Sequence, residues 1–441
     1  MGVGVVQGDE RVPARRVFGL AVPALGVLAV EPLYVLVDTA VVGHLGALPL
    51  AGLAIGGLVL AQIAFQLTFL SYGTTARASR LYGAGRRADA VAEGVQATWL
   101  ALAVGVLLLV LGEVFAGPIT SVLTGNAEVA DAAARWLRIA LFGAPLILVT
   151  AAGNGWMRGV QDTARPLRYV LLGNALSAVL CPVLVFGAGW GLAGSAVANV
   201  AAQLVAASLF LRALVTERVS LRPVPAKMLA QLALGRDLVV RGLAFQACFV
   251  SAAAVAARTS TSAVGAHQVV LQLWFFVAMA LDSLAIAAQS LVGAALGAGE
   301  ERRARGLANQ VARYGLVFGT GLGLLFAALS WVLPRAFTPD AGVLAEIPHA
   351  WWFFVALQPA AGVLFAFDGV LFGAGDAAFL RNSSVFAAVL GFLPLVWLSL
   401  ALGWGLAGIW TGLTAFMVLR LGTALVRIRS GRWAVTGAVH A

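Results

Sequence analysis

Apolar residues run along this chain in stretches of about twenty or more, and the short breaks between them hold most of the charge. An α-helix rises 1.5 Å per residue, so about 20 apolar residues cross ~30 Å of hydrocarbon. Twelve such spans are predicted, at roughly 17–43, 48–74, 92–114, 132–155, 166–187, 190–212, 237–258, 263–292, 309–333, 346–370, 379–401 and 404–427. The pattern predicts an all-α integral membrane protein.

The polar punctuation repeats. Gly-Trp-Gly-Leu-Ala-Gly occurs at 189–194 and again at 403–408, 214 residues apart in a chain of 441. The same offset superposes Leu81-Tyr82-Gly83-Ala84-Gly85 on Ala295-Leu296-Gly297-Ala298-Gly299, Gln96 on Gln310, and Gly155, Gly159 and Asp162 on Gly369, Gly373 and Asp376. One offset serving separated regions marks a duplication. The predicted organisation is an N-terminal six-helix lobe over 1–215, a cytoplasmic linker over 216–236 containing Pro223 and Pro225, and a C-terminal six-helix lobe over 237–441. Six spans per half, an even number, make the two halves parallel repeats.

Composition agrees with the spans. With 61% hydrophobic and 11% charged residues there is too little polar surface to coat a soluble globule. The first apolar segment is too long for a cleavable signal peptide and lacks a small-residue cleavage site. If both ends are cytoplasmic, 25 of the 29 Lys and Arg fall inside, leaving Arg135, Arg138, Arg258 and Arg335 near the outer side. This positive-inside asymmetry predicts a multi-pass protein of the cell membrane with cytoplasmic termini. It also argues against nucleic acid as the partner of a +10 chain, because the cations are spread over many helix ends. Cys181 and Cys248 lie inside apolar spans, and His44, His267, His349 and His440 are scattered, so neither a disulfide nor a metal site is expected. No nucleophile elbow, phosphate loop or paired acids appear, and no cofactor is expected. Gly191, Ser195 and Asn199, four residues apart, fit close helix packing.

The informative residues are the acids that fall inside spans. A mid-span carboxylate costs ~2.5–3.5 kcal/mol on insertion scales, so it faces a cavity or a partner. Asp38 has no Lys or Arg within twenty residues on either side. Glu31 lies two turns earlier, on the same predicted helical face, and Pro32 supplies a point where the first span can bend. Asp282 and Asp368 lie toward cytoplasmic span ends, within predicted reach of Arg302 or Arg381, and read as interfacial pairs. Arg138 and Arg241 read as snorkelling residues near helix ends. Asp162-Thr163-Ala164-Arg165-Pro166 reads as a capped helix start.

Several strings resemble the multidrug and toxic compound extrusion (MATE) transporters, in particular their DinF-like branch. They are Val37-Asp38-Thr39-Ala40-Val41-Val42-Gly43-His44-Leu45-Gly46, Arg158-Gly159-Val160-Gln161-Asp162-Thr163, Gly189-Trp190-Gly191-Leu192-Ala193-Gly194, Ala266-His267-Gln268 and Leu281-Asp282-Ser283-Leu284-Ala285-Ile286-Ala287-Ala288-Gln289. The resemblance covers essentially the whole chain. It implies two six-helix lobes in a V and export of cationic or amphipathic compounds in exchange for inward H⁺ or Na⁺. Asp38 matches the family's coupling aspartate.

One departure bears on the ion. Many relatives carry Asn and Asp four apart before a Pro in the fifth span, where this chain has Ser177 and Cys181 ahead of Pro182, with Asn174 one turn earlier. Sodium wants several oxygen ligands, whereas a proton needs one titratable carboxyl, so proton coupling is expected. The expected mechanism is alternating access, with proton and substrate competing at Asp38. Asn174, Ser177 and Asn199 are expected near the N-lobe cavity, and Tyr34, Phe65, Trp274 and Phe275 in the substrate cleft. Asp282, Asp368 and His267 are secondary candidates. Membrane lipid surrounds the chain, which is expected to act as a monomer and not as an enzyme. A flippase for a lipid-linked precursor would want a basic central cavity, and a membrane-embedded lipid-modifying enzyme would want clustered acids, histidines or a metal site. The spans read as nearly free of mid-span Lys and Arg, and such clusters are missing.

Overall fold

The computed structural model describes residues 12–438; residues 1–11, which open the predicted N-terminal lobe, and His440 lie outside the described residues. Among the described residues the regular structure is entirely helical. Two compact units form, one over Val22–Gly235 and one from Arg236 onward together with the turns that precede Val22.

The first unit takes α1 (Ala14–Gly43) from Val22 on, then α2 (Ala47–Gln66), α3 (Phe69–Gly83), α4 (Arg87–Leu123), α5 (Ala127–Leu141), α6 (Ala144–Gly159), α7 (Ala164–Pro182) and α8 (Gly191–Thr216). The second holds most of α9 (Pro225–Thr259), then α10 (Thr261–Gly297), α11 (Glu301–Ala328), the short α12 (Leu333–Phe337) and α13 (Ala341–Glu346), α14 (Pro348–Gly373), α15 (Ala377–Ala387), α16 (Leu393–Ala401) and α17 (Gly405–Ser430). Among the described residues eleven helical segments are long and apolar enough to cross a membrane. A twelfth is reached if α5 and α6, bent by 49°, count as one span. The predicted span 132–155 straddles that bend. Pro145 opens α6, and a proline disfavours helix in the residue before it and removes a backbone donor.

The repeat is visible in the helix ends. α3 and α10 end at Gly83 and Gly297, α4 and α11 start at Arg87 and Glu301, α6 and α14 end at Gly159 and Gly373, and α8 and α17 run over 191–216 and 405–430, each pair 214 residues apart. The repeated glycine string is explained by backbone angle: Gly189 and Gly403 have φ of 70° and 68°, Gly191 and Gly405 of 52° and 60°. Those left-handed values cost other residues a steric clash. Asp162 behaves as the sequence suggests, its Oδ1 accepting from Arg165 N at 3.0 Å over the first turn of α7.

Close backbone approach holds each unit together. A Cβ on Gly369 would stand 2.3 Å from the Ala285 carbonyl oxygen, and one on Gly155 would stand 2.8 Å from that of Ser71, the repeat equivalent of Ala285. Hydrocarbon offers helices no hydrophobic drive to associate, so small residues that let backbones touch carry much of the packing. The matched glutamines do a second job. Gln96 donates to Arg222 O at 3.0 Å and accepts from Val224 N at 2.7 Å, while Gln310 donates to Val12 O at 2.6 Å. Each therefore pins a segment of its own unit that leads into a helix, α9 for Gln96 and α1 for Gln310.

The predicted linker 216–236 is non-helical only as far as Val224, because Pro225 starts α9. A proline fits the first helical position, where its missing N–H has no partner to lose. Within the first unit Gln231 donates to the Glu93 backbone oxygen at 3.1 Å, which ties down the opening turns of α9.

Gly369→Ala forces a methyl against a backbone oxygen and should cost about 1–3 kcal/mol of stability. Gly117→Ala, at a helical glycine with nothing within 4 Å, should cost none. Thermal unfolding of both purified variants in detergent checks the pair, and equal melting temperatures would contradict the packing argument.

Candidate functional site

The buried stripe of α1 runs through every fourth residue: Val30, Tyr34, Asp38 and Val42. The residues between them on the other side, Leu33, Val35 and Leu36, are exposed. α7 offers Ser177 and Cys181, and α8 offers Ser195 and Asn199, each again four apart and buried. A spacing of four puts both members of a pair on one helical face. Three polar pairs thus converge from α1, α7 and α8.

Asp38 is only 4% exposed. Cys181 Sγ donates to its Oδ1 at 3.2 Å, and the Ser195 hydroxyl faces the same carboxylate. Ser195 Oγ in turn accepts from Trp136 Nε1 at 3.1 Å. Trp136 stands in an apolar cluster with Val42, Leu53, Leu137 and Ala196, so a packed wall fixes the hydroxyl that faces the acid. No cation pairs with Asp38 among the described residues. Beside it Tyr34 Oη, Ser177 Oγ and Asn199 Oδ1 are buried and lie near one another, and among the described residues none of the three reaches close hydrogen-bonding geometry with a partner. Unpartnered buried polar atoms are uncommon and mark a place where a polar ligand is wanted.

The other expected residues are scattered. Glu31 is exposed, outside the stripe, because a four-residue repeat drifts around the helix while burial follows the neighbours at each level. α1 continues as helix through Pro32, whose ring is exposed. Asn174 is half-buried and donates to Val170 O of its own helix at 2.9 Å, so it does not join the cluster around Asp38. Phe65 is exposed near the end of α2; in the second unit Trp274 is buried, while Phe275 is exposed and packs on Phe249 at 5.2 Å between ring centroids. Asp282 is half-buried on α10.

Three expectations are corrected in the second unit. Asp368 pairs with Arg241 and Arg420, each at 2.6 Å, whereas Arg381 is engaged by Asp237 at 2.6 Å. Arg241 does not snorkel to a helix end; it turns inward from near the middle of α9, and the spans are not free of buried arginine. Hydropathy averages over a helix and carries no sign of which face an ion uses. His267 is buried with both ring nitrogens unpartnered, its ring 6.2 Å from Trp410. The repeat places Leu53 and Ala196, members of the apolar wall, at the positions of His267 and Trp410.

Ser195, Cys181 and Trp136 were not singled out as site residues. The signal that finds two of them is the recurrence of small polar residues four apart on α7 and α8, which reads equally well as helix packing. Trp136 has no sequence signal, since its role depends on where α5 meets α8.

The MatE family profile matches the chain twice, over residues 23–183 and 238–397, most of each half. Protein DETOXIFICATION 44, chloroplastic, of Arabidopsis thaliana is 34% identical over 95% of this chain and 83% of its own length. DNA damage-inducible protein F of Escherichia coli K12 is 30% identical over 94% of this chain and 92% of its own. A crystal structure of MATE in the bent conformation shares the fold, with a TM-score of 0.88 at 19% identity over 97% of this chain and 96% of that one.

Because their hydroxyls have no bond to lose, Tyr34→Phe and Ser177→Ala should leave stability within about 0.5 kcal/mol, whereas Trp136→Phe should cost roughly 1 kcal/mol through Ser195. Melting in detergent reads both, and a loss from Tyr34→Phe as large as that from Trp136→Phe would mean the Tyr34 hydroxyl is engaged.

Proposed function

The chain belongs to the MatE family and is a multi-pass efflux transporter rather than an enzyme, and on that premise we propose that it is a proton-coupled antiporter in which Asp38 takes a proton and a cationic or amphipathic substrate in turn. One observation carries the reading: a 4% exposed carboxylate that no cation of the described residues neutralises. At an insertion cost of ~2.5–3.5 kcal/mol, a charged Asp38 has to be offset by something that arrives. A proton offsets it by removing the charge, and a cationic substrate by pairing with it. Both cannot do so together, and that exclusion is the coupling.

Cys181 and Ser195 donate toward the carboxylate when it is charged and fix its orientation. Tyr34, Ser177 and Asn199 offer polar atoms to what enters beside it. The case for a proton over sodium rests on donor chemistry: where many relatives carry a second carboxylate in the fifth span, this chain has Cys181, whose thiol donates to Asp38. In the outward state Asp38 is protonated and the substrate loses its anchor. Inward, loss of the proton restores the anion that recruits the next cation. The missing N–H of Pro32 gives α1 a point at which to bend between the two states. Membrane potential adds ~2.3 kcal/mol per 100 mV for each charge moved. The loop charge asymmetry supports a cell-membrane location with both termini cytoplasmic.

Asp38→Asn fixes the neutral form at nearly constant size. In inside-out vesicles driven by a pH gradient without sodium, cationic-dye transport should fall to background with this variant while its melting temperature holds. Asp38→Glu, still titratable, should keep part of the activity, and Glu31→Gln should act more mildly. Full gradient-driven transport by Asp38→Asn would sink the mechanism, and a strict need for millimolar sodium would overturn the proton assignment.

A further inference from the structure

Three helices of the second unit bring a charged side chain to one point: Arg241 on α9, Asp368 on α14 and Arg420 on α17. Arg241 Nη2 and Arg420 Nη2 donate to the same carboxylate oxygen, Asp368 Oδ2, each at 2.6 Å. Arg241 Nε also donates to Ser384 Oγ at 3.3 Å. Arg420 and Asp368 are 4% and 5% exposed. Both guanidinium groups lie over aromatic rings, Arg241 at 5.0 Å from Phe245 and Phe372, Arg420 at 4.9 Å from Phe245. Two cations share one anion, and the arginines are close enough to repel. Asp237, one turn before Arg241 on α9, does not redress the balance, because Arg381 and Arg236 hold it at 2.6 and 3.2 Å.

The fold does not require these charges. At the repeat positions of Asp368 and Arg420 the first unit has Asn154 and Ala206, and the same offset puts Val27 at that of Arg241. α6 and α8 pack against each other with a neutral pair at those positions, where α14 and α17 carry Asp368 and Arg420. Buried ion clusters seldom add stability over apolar packing, and an uncompensated buried charge is costly. Among the described residues, no hydrogen bond is made by Arg420 Nε or Nη1 or by Arg241 Nη1. Guanidinium forks match carboxylates in geometry.

We propose that Arg241 and Arg420 form an anion-binding site that takes a small monocarboxylate beside Asp368. The class follows from charge and shape. A surplus of one positive charge is balanced by a monoanion, and Asp368 itself shows that a carboxylate seats between the two forks. The site is distinct from the cluster around Asp38, which presents an acid and neutral donors.

The test is calorimetric titration of the purified full-length protein in detergent with benzoate, with inorganic phosphate in parallel, at neutral pH and constant chloride. Wild type should bind benzoate saturably and phosphate weakly. Arg241→Gln should weaken benzoate roughly tenfold or more, and Asp368→Asn, which removes the competing carboxylate, should tighten it by about as much. A purely structural ion cluster predicts the opposite for Asp368→Asn, no gain in anion affinity with a loss of stability. Absence of saturable benzoate binding to wild type, unchanged affinity in Arg241→Gln, no tightening in Asp368→Asn, or preference for phosphate would each overturn the proposal. Arg420→Gln is a second variant of the same site: where Arg241→Gln fails to fold, unchanged benzoate affinity in Arg420→Gln would overturn the proposal. No ion gradient enters the measurement, so its result is independent of whether Asp38 couples transport to protons.

Discussion

A charge inside a helical bundle surrounded by hydrocarbon has to be answered from within the bundle, because neither water nor lipid tails will answer it. The two units meet this constraint with opposite sign. In the first, Asp38 is met, among the described residues, by a thiol, a serine hydroxyl and unpartnered oxygens but no cation, which leaves an anion wanting a counter-charge. In the second, Asp368 is met by two arginines, which leaves a cation wanting one. Duplicated scaffolds that share helix ends to the residue have been given complementary electrostatic interiors.

The scaffold tolerates that divergence because its own energetics lie elsewhere. Glycine contacts at 155 and 369 set how near α3 approaches α6, and α10 approaches α14, through backbone atoms that no side-chain change on the buried acids or arginines alters. The left-handed glycines of the repeated string fix where α8 and α17 begin. The helix positions that carry charge are therefore free to change, since neither register nor close packing depends on them. Leu53 and Ala196 at one end of the comparison and His267 and Trp410 at the other make the same point, an apolar wall in one unit and an aromatic, titratable one in its repeat.

Much of this was readable in the sequence, for physical reasons. Span length and the 214-residue offset depend on hydrocarbon thickness and on glycine conformation, both of which act locally along the chain. Asp38 was legible because an acid far from any sequence neighbour of opposite charge cannot be neutralised locally. The partners of Asp368 were not, because Arg241 and Arg420 lie on other helices and reach it only after packing, while the nearer Arg381 is taken by Asp237. Glu31 shares a predicted face with Asp38, yet burial depends on what stands opposite at each level of the helix. The bend between α5 and α6 was hidden by apolar residues that continue unbroken through Pro145.

Helical spacing of polar residues, more than their number, separates a site from a packing seam. Ser195 and Asn199, taken alone, are the small polar residues that membrane helices use for close contact. Set against Ser177 and Cys181 on α7 and Tyr34 and Asp38 on α1, they become the third of three matched faces, and only a carboxylate at the centre makes that coincidence costly to the fold. The second unit has no acid at the repeat position of Asp38, where Ala252 stands, and the buried charge of α9 is Arg241, at the repeat position of Val27. Evolution of such a pair needs no new architecture, since moving one charge along α1 or α9 changes what each bundle can neutralise while the glycine contacts keep the helices where they are.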